Sequence, residues 1–138
     1  MPVRLTRMVR FRAEHHYWVP DWPADRNREA FGSLSEPHQH DYTCGVTVSG
    51  PVETRTGMLL DLGFLDRILA DEILRPLDGR DLNRDVPEFA AGRTLPTCEA
   101  LAIWLFRRIA PRLPHEVRLE RVCVAEDPTL RAECTGLD

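Results

Sequence analysis

His38-Gln39-His40-Asp41-Tyr42-Thr43-Cys44-Gly45-Val46-Thr47-Val48-Ser49 alternates along its length, and this stretch decides the fold. Successive side chains of a β-strand point to opposite faces. One face therefore carries His38, His40, Tyr42, Cys44, Val46 and Val48, and the other Gln39, Asp41, Thr43 and Thr47. The distal half of the first face is apolar and belongs in a core. The proximal half presents two imidazoles. Positions i and i+2 stand about 7 Å apart at a rise of roughly 3.3 Å per residue, so both rings can reach one metal ion. A catalytic zinc takes three protein ligands and leaves a fourth position open.

The third ligand has to come from elsewhere in the chain. Val3 to Phe11 mixes β-branched and apolar residues with arginines at alternate places and predicts a strand. His15 stands at its end and is the candidate ligand, with His16 as the alternative. Asp41, Glu14 or a backbone carbonyl is expected to orient the rings. His115 reads as a surface loop residue. Between the two strands, Pro20, Pro23, Gly32 and Pro37 punctuate a long loop from Val19 to Pro37, with one helical turn near Asn27 to Ala30. Loops of this length in a compact domain usually serve function.

On the other side, Gly50-Pro51 opens a turn and Gly57 to Leu60 reads as a short strand. Asp61 can cap a helix whose Leu62, Leu65, Ile68, Leu69 and Ile73 follow helical spacing, with Pro76 ending it. Asp78 to Gly92 is irregular. Thr97 is the expected N-cap of a second helix, with Glu99 in its first turn and Leu101, Trp104, Leu105 and Ile109 as its buried stripe. Pro111 and Pro114 close it. Val117 to Ala125 reads as the last strand, and the tail after Pro128 as loose. The expected architecture is a single α+β domain over 1–138, an antiparallel four-stranded sheet with two helices packed on one face.

Composition removes several function classes. All 18 basic residues are arginine, which excludes a Schiff-base lysine, a pyridoxal phosphate anchor and a Walker A lysine. The arginines are scattered and the net charge is −4, so no nucleic-acid partner is expected. No apolar run approaches the roughly 20 residues that cross a bilayer, so no membrane partner is expected. The N-terminus, MPVRLTRMVRF, lacks an apolar signal region, and the expected location is cytoplasmic. Cys44, Cys98, Cys123 and Cys134 form no CxxC pair and are expected as thiols.

Read in order, the motifs resemble the 6-pyruvoyl-tetrahydropterin synthase family, which includes 6-carboxytetrahydropterin synthase of queuosine biosynthesis. Family members carry F-x-A-x-H, and here stand Phe11-Arg12-Ala13-Glu14-His15. They carry C-x-x-x-H-G-H-x-[YF], against Leu34-Ser35-Glu36-Pro37-His38-Gln39-His40-Asp41-Tyr42. They carry G-M-[VL]-x-D-[FL], against Gly57-Met58-Leu59-Leu60-Asp61-Leu62, and L-D-H-x-x-L-N, against Leu77-Asp78-Gly79-Arg80-Asp81-Leu82-Asn83. Asp85-Val86-Pro87-Glu88-Phe89 is also typical. Pro96-Thr97-Cys98-Glu99-Ala100-Leu101-Ala102 resembles the start of the family's second helix, and Glu126 the glutamate that ends its last strand.

The resemblance implies a T-fold that oligomerises into a barrel, usually a homohexamer. It implies Zn²⁺ on His15, His38 and His40, and a dihydroneopterin triphosphate-like pterin anchored by Glu126, with Thr97 and Glu99 in the same pocket or its neighbour. The family's proton-transfer groups are a cysteine, an aspartate and a histidine. Here they correspond to Leu34, Asp78 and Gly79, so only Asp78 is retained. Leucine and glycine cannot transfer protons. Glu36, in the loop of Leu34, is the first replacement, followed by His16, Asp81 and Cys44. Cys44 faces the histidine side but about 13 Å from His40 by strand rise. The expectation is a zinc-dependent lyase with altered acid/base groups. The alternatives are a catalytically inactive pterin-binding module and an oligomer in which zinc only holds the fold.

Overall fold

The computed structural model describes residues 1–137. Strands β1 (Val3–His15) and β2 (His38–Gly50) pair antiparallel over their full length, from Val3 opposite Gly50 to His15 opposite His38. The first strand thus runs past Phe11 to the histidine itself. Helix α1 (Ala24–Phe31) and a 3₁₀ turn (Gly32–Ser35) fill most of the connecting loop, more helix than the single turn expected there. A buried side chain explains it. The Asn27 amide accepts from Val19 N–H (2.7 Å) and donates to Val19 C=O (2.9 Å), fastening the helix to the chain that leaves β1.

Gly57 to Leu60 does not form a strand. A single bridge joins Glu53 to Met58, and the Glu53 carboxylate accepts from Thr56 N–H (2.8 Å) inside that tight turn. Helix α2 (Leu62–Leu69) starts where Asp61 accepts from Gly63 N–H (2.9 Å). It continues through a π-helical turn (Ala70–Leu74) into α3 (Arg75–Leu77), where Pro76 sits in the first turn. Proline has no N–H to give and crowds the preceding carbonyls, and the chain leaves the helix after Leu77. Gly79 then adopts φ +71°, a left-handed conformation that a side chain resists, and its N–H bonds Arg12 C=O (2.7 Å). That turn delivers β3 (Arg80–Asp81), which pairs parallel with β1 at Ala13 and Glu14.

Asp81 caps the short α4 (Leu82–Asp85), accepting from Asn83 and Arg84 N–H. Helix α5 (Cys98–Ile109) follows, then β4 (Arg118–Asp127) and β5 (Leu130–Cys134). The part of the tail from Leu130 to Cys134 is therefore a strand and not loose. Asp127 Oδ1 accepts from both Thr129 N–H and Thr129 O–H at 2.6 Å, and this turn folds the tail back onto β4. The sheet has five strands in the order β3-β1-β2-β4-β5, with one parallel pair, rather than four antiparallel strands. Two-residue β3 and five-residue β5 are too short for an alternation signal, which is why the pattern missed them.

The helices cover one face. Tyr42, Cys44, Val46, Val48, Val122 and Val124 point inward from the sheet, against Leu65, Ile68, Leu69 and Ile73 of the α2 segment and Leu101, Leu105 and Ile109 of α5. Among the described residues no helix is long and apolar enough to cross a membrane.

Candidate metal centre

The β1–β2 register brings the three histidines together. His15 lies opposite His38, and His40 opposite Ala13, so all three rings emerge at one end of the covered face. One ligand atom from each lies within 4.8 Å of the others. Ring centroids are 4.5 Å (His15–His38), 4.9 Å (His38–His40) and 5.1 Å (His15–His40) apart. His15 is 1% exposed; His38 and His40 are half-buried. His16, the alternative ligand, stays outside this cluster.

Backbone carbonyls fix two of the rings. His15 Nδ1 lies 2.8 Å from Pro96 C=O and His38 Nδ1 2.8 Å from Glu36 C=O. A carbonyl only accepts, so each Nδ1 carries the proton and each Nε2 a lone pair. Tyr42 Oη adds a second contact to His15 Nδ1 at 3.2 Å. Burial pushes His15 down to about 4, which leaves it neutral at physiological pH. The Nε2 atoms of His15, His38 and His40 are buried and have no hydrogen-bond partner among the described residues. Buried polar atoms are almost always partnered. Two oriented lone pairs, on His15 and His38, converge with the unpartnered Nε2 of His40, and such a donor set fits zinc.

Glu126, at the end of β4, reaches the same place: its Oε2 lies 2.6 Å from His40 Nε2. The other expected residues have different settings. Asp78 accepts from Arg12 N–H (3.0 Å) and docks the end of α3 on β1. The Glu36 side chain is exposed, and what holds His38 is its carbonyl. Asp41 is drawn away by Arg12 (2.8 Å), whose guanidinium holds its carboxyl below the usual range. Glu99 is exposed and shares a surface groove with Ile103, Phe106 and Arg107. Cys44 is fully buried, and burial pushes its thiol up to about 12, which removes it as a base.

Thr97 Oγ1 accepts from Ala100 N–H (3.1 Å) and caps α5. Thr97→Ala is therefore expected to cost about 1 kcal/mol in chemical denaturation, as lost N-caps do. A pterin affinity that fell in step would add the binding role.

Of the groups expected to orient the rings, the backbone carbonyl is the one found, on His15 and His38, although sequence reading could not say that it would be that of Pro96 or Glu36. Sequence reading also passed over Asn83, whose amide accepts from His16 N–H (2.9 Å) and donates to His16 C=O (3.1 Å), extending the grip on β1 just past His15. Tyr17 packs edge-on to His15 (4.9 Å) and His38 (6.3 Å) and closes the cluster on its loop side. Its N–H is held by Leu34 C=O (3.0 Å).

A five-stranded α+β sheet with helices on one face and a trihistidine centre at its end is the T-fold with a candidate metal site. The description "6-pyruvoyl tetrahydropterin synthase" matches residues 4–136, and the chain belongs to that family. A 6-pyruvoyl tetrahydrobiopterin synthase of Drosophila melanogaster is 35% identical over 126 residues, covering 90% of this chain and 74% of the relative. A dihydroneopterin monophosphate aldolase of Pyrococcus furiosus is 28% identical over 126 residues, 91% of each. The structure of Caenorhabditis elegans 6-pyruvoyl tetrahydropterin synthase superposes with a TM-score of 0.90 at 27% identity, over 99% of this chain and 97% of that one.

Proposed function

We propose that this chain is a zinc-dependent lyase acting on the side chain of a dihydroneopterin-type pterin. The observation that carries this reading is the set of three buried, unpartnered Nε2 atoms of His15, His38 and His40. Zn²⁺ held there would supply Lewis-acid polarisation of a substrate oxygen. The chain's own residues do the rest. Pro96 and Glu36 carbonyls keep the rings aimed before any ligand arrives. Glu126, 10% exposed at the cluster's edge, can turn to accept two parallel N–H donors from the pterin amino group and ring nitrogen.

Leu34 and Gly79 supply no proton transfer and His16 lies outside the cluster, so the proposed base is a carboxylate. Glu36 is the candidate, because its backbone is pinned to His38 while its side chain is free to point at a bound substrate. Asp78 is the second candidate, spent in part on Arg12 N–H. A carboxylate base suits abstraction of a side-chain hydroxyl proton, which leads to carbon–carbon cleavage. The aldolase among the relatives supports that branch. The family's assembly extends the proposal to a cytoplasmic homo-oligomer, a hexamer, with β5 at the open edge of the sheet.

Zinc-loaded protein incubated with dihydroneopterin and its mono- and triphosphates is expected to release a cleaved pterin detectable by mass spectrometry. Dialysis against a chelator abolishes this and zinc restores it. Absence of product from all three, with stoichiometric zinc present, overturns the lyase. The absent family cysteine and histidine favour a second reading, a pterin-binding module without turnover. Under that reading the same incubation gives tight pterin binding and no product.

A further inference from the structure

The Glu126 carboxylate stands against the histidines more closely than a substrate anchor needs to. Its Oε2 is 2.6 Å from His40 Nε2 and 4.0 Å from His15 Nε2, yet neither nitrogen makes a hydrogen bond. At 2.6 Å the oxygen is near enough to His40 Nε2 for a hydrogen bond but off the direction its N–H would take, and at 4.0 Å it is beyond hydrogen-bond distance of His15 Nε2. His15 meets it with a lone pair, because its Nδ1 proton is committed to Pro96. An ionised carboxylate is also an acceptor only. Two electron-rich atoms in a buried site repel unless a cation lies between them. Ligand atoms about 2.0–2.1 Å from a tetrahedral zinc stand roughly 3.3 Å from one another, and 2.6 and 4.0 Å bracket that spacing.

We infer that Glu126 is an exchangeable fourth ligand, which closes the metal's open position in the substrate-free protein and leaves it to anchor the incoming pterin. This rests on the metal site proposed above. The residue's place at the end of β4, beside the Asp127 turn, leaves the carboxylate on a three-bond arm that can swing between the two positions. A pterin offers the departing carboxylate two N–H donors, so leaving the cation is compensated by charge-assisted hydrogen bonds. The vacated position then falls to a side-chain oxygen of the same molecule. Substrate recognition and opening of the coordination sphere become one event, carried by one residue.

Cobalt(II) in place of zinc reports the ligand set through its visible absorption. The wild-type cobalt protein and Glu126→Gln are expected to differ in band position and intensity. The variant should also hold cobalt at least about 10-fold more weakly, the size of effect seen when groups around metal ligands are removed. Titrating dihydroneopterin into the wild-type cobalt protein should move its spectrum toward that of the variant at one equivalent per site. Identical spectra and affinities in the two proteins overturn the exchange and leave the metal site standing. A wild-type spectrum unmoved by dihydroneopterin overturns it as well, and needs no variant. If wild-type protein gives no cobalt band, the metal site itself has failed and the exchange with it.

Discussion

His38→Ala is expected to leave a folded protein with less than about one-tenth of the wild-type zinc and a kcat/KM lower by about 10³-fold or more. A zinc ion held there would contribute several kcal/mol as a Lewis acid, and each 1.36 kcal/mol is a factor of ten. His38 is the informative ligand to remove. His15 is 1% exposed and packed against Tyr17 and Tyr42, so truncating it also opens a cavity in the core. His38 is half-buried at the sheet's end, and among the described residues its side chain hydrogen-bonds only the carbonyl of its own loop. Circular dichroism and a thermal melt of metal-free protein should match wild type. Zinc content by atomic absorption decides the matter: a full equivalent in the variant would remove His38 from the site.

Glu36→Gln is expected to lower kcat by about 10²–10⁴-fold, the usual contribution of a positioned general base, with KM and zinc content unchanged. The substitution alters only the exposed carboxylate. The carbonyl that accepts from His38 Nδ1 is backbone and stays in place, so the metal centre keeps its orientation. That separation makes kcat the discriminating quantity. Unchanged kcat moves the base to Asp78, whose Asp→Asn change must then show the loss together with a weaker docking of α3 on β1. Loss of zinc instead would mean that Glu36 serves the cluster rather than the substrate.

The parts of the site legible in the sequence are those set by short-range geometry. His38 and His40 lie two apart on a strand, and a period of two sends both rings one way whatever the rest of the chain does. Tyr42 belongs to the same series, and its contact with His15 follows once the strands pair. Asp61 and Thr97 declared their helix starts through side chains suited to capping. The ordered motifs then added His15 and Glu126, which lie 111 residues apart in the chain and 4.0 Å apart in space.

What escaped reading was short or made of backbone. β3 has two residues and β5 five, and neither length carries enough alternation to stand out from a loop. The strand read at Gly57–Leu60 had apolar residues but pairs only through the single Glu53–Met58 bridge, and Met58 remains 52% exposed. The carbonyls of Pro96 and Glu36 have the same chemistry as every other carbonyl in the chain, and only position makes them orienting groups.

The sequence by itself determined the period of the long strands, the core faces and the HxH pair of His38 and His40, because these follow from side-chain type and local spacing. Only the tertiary structure decided which nitrogen of His15 and His38 is free, how near Glu126 stands to His40, and that Cys44 is sealed in the core. Protonation, orientation and access depend on neighbours brought from distant positions, and local patterns hold no record of those distances.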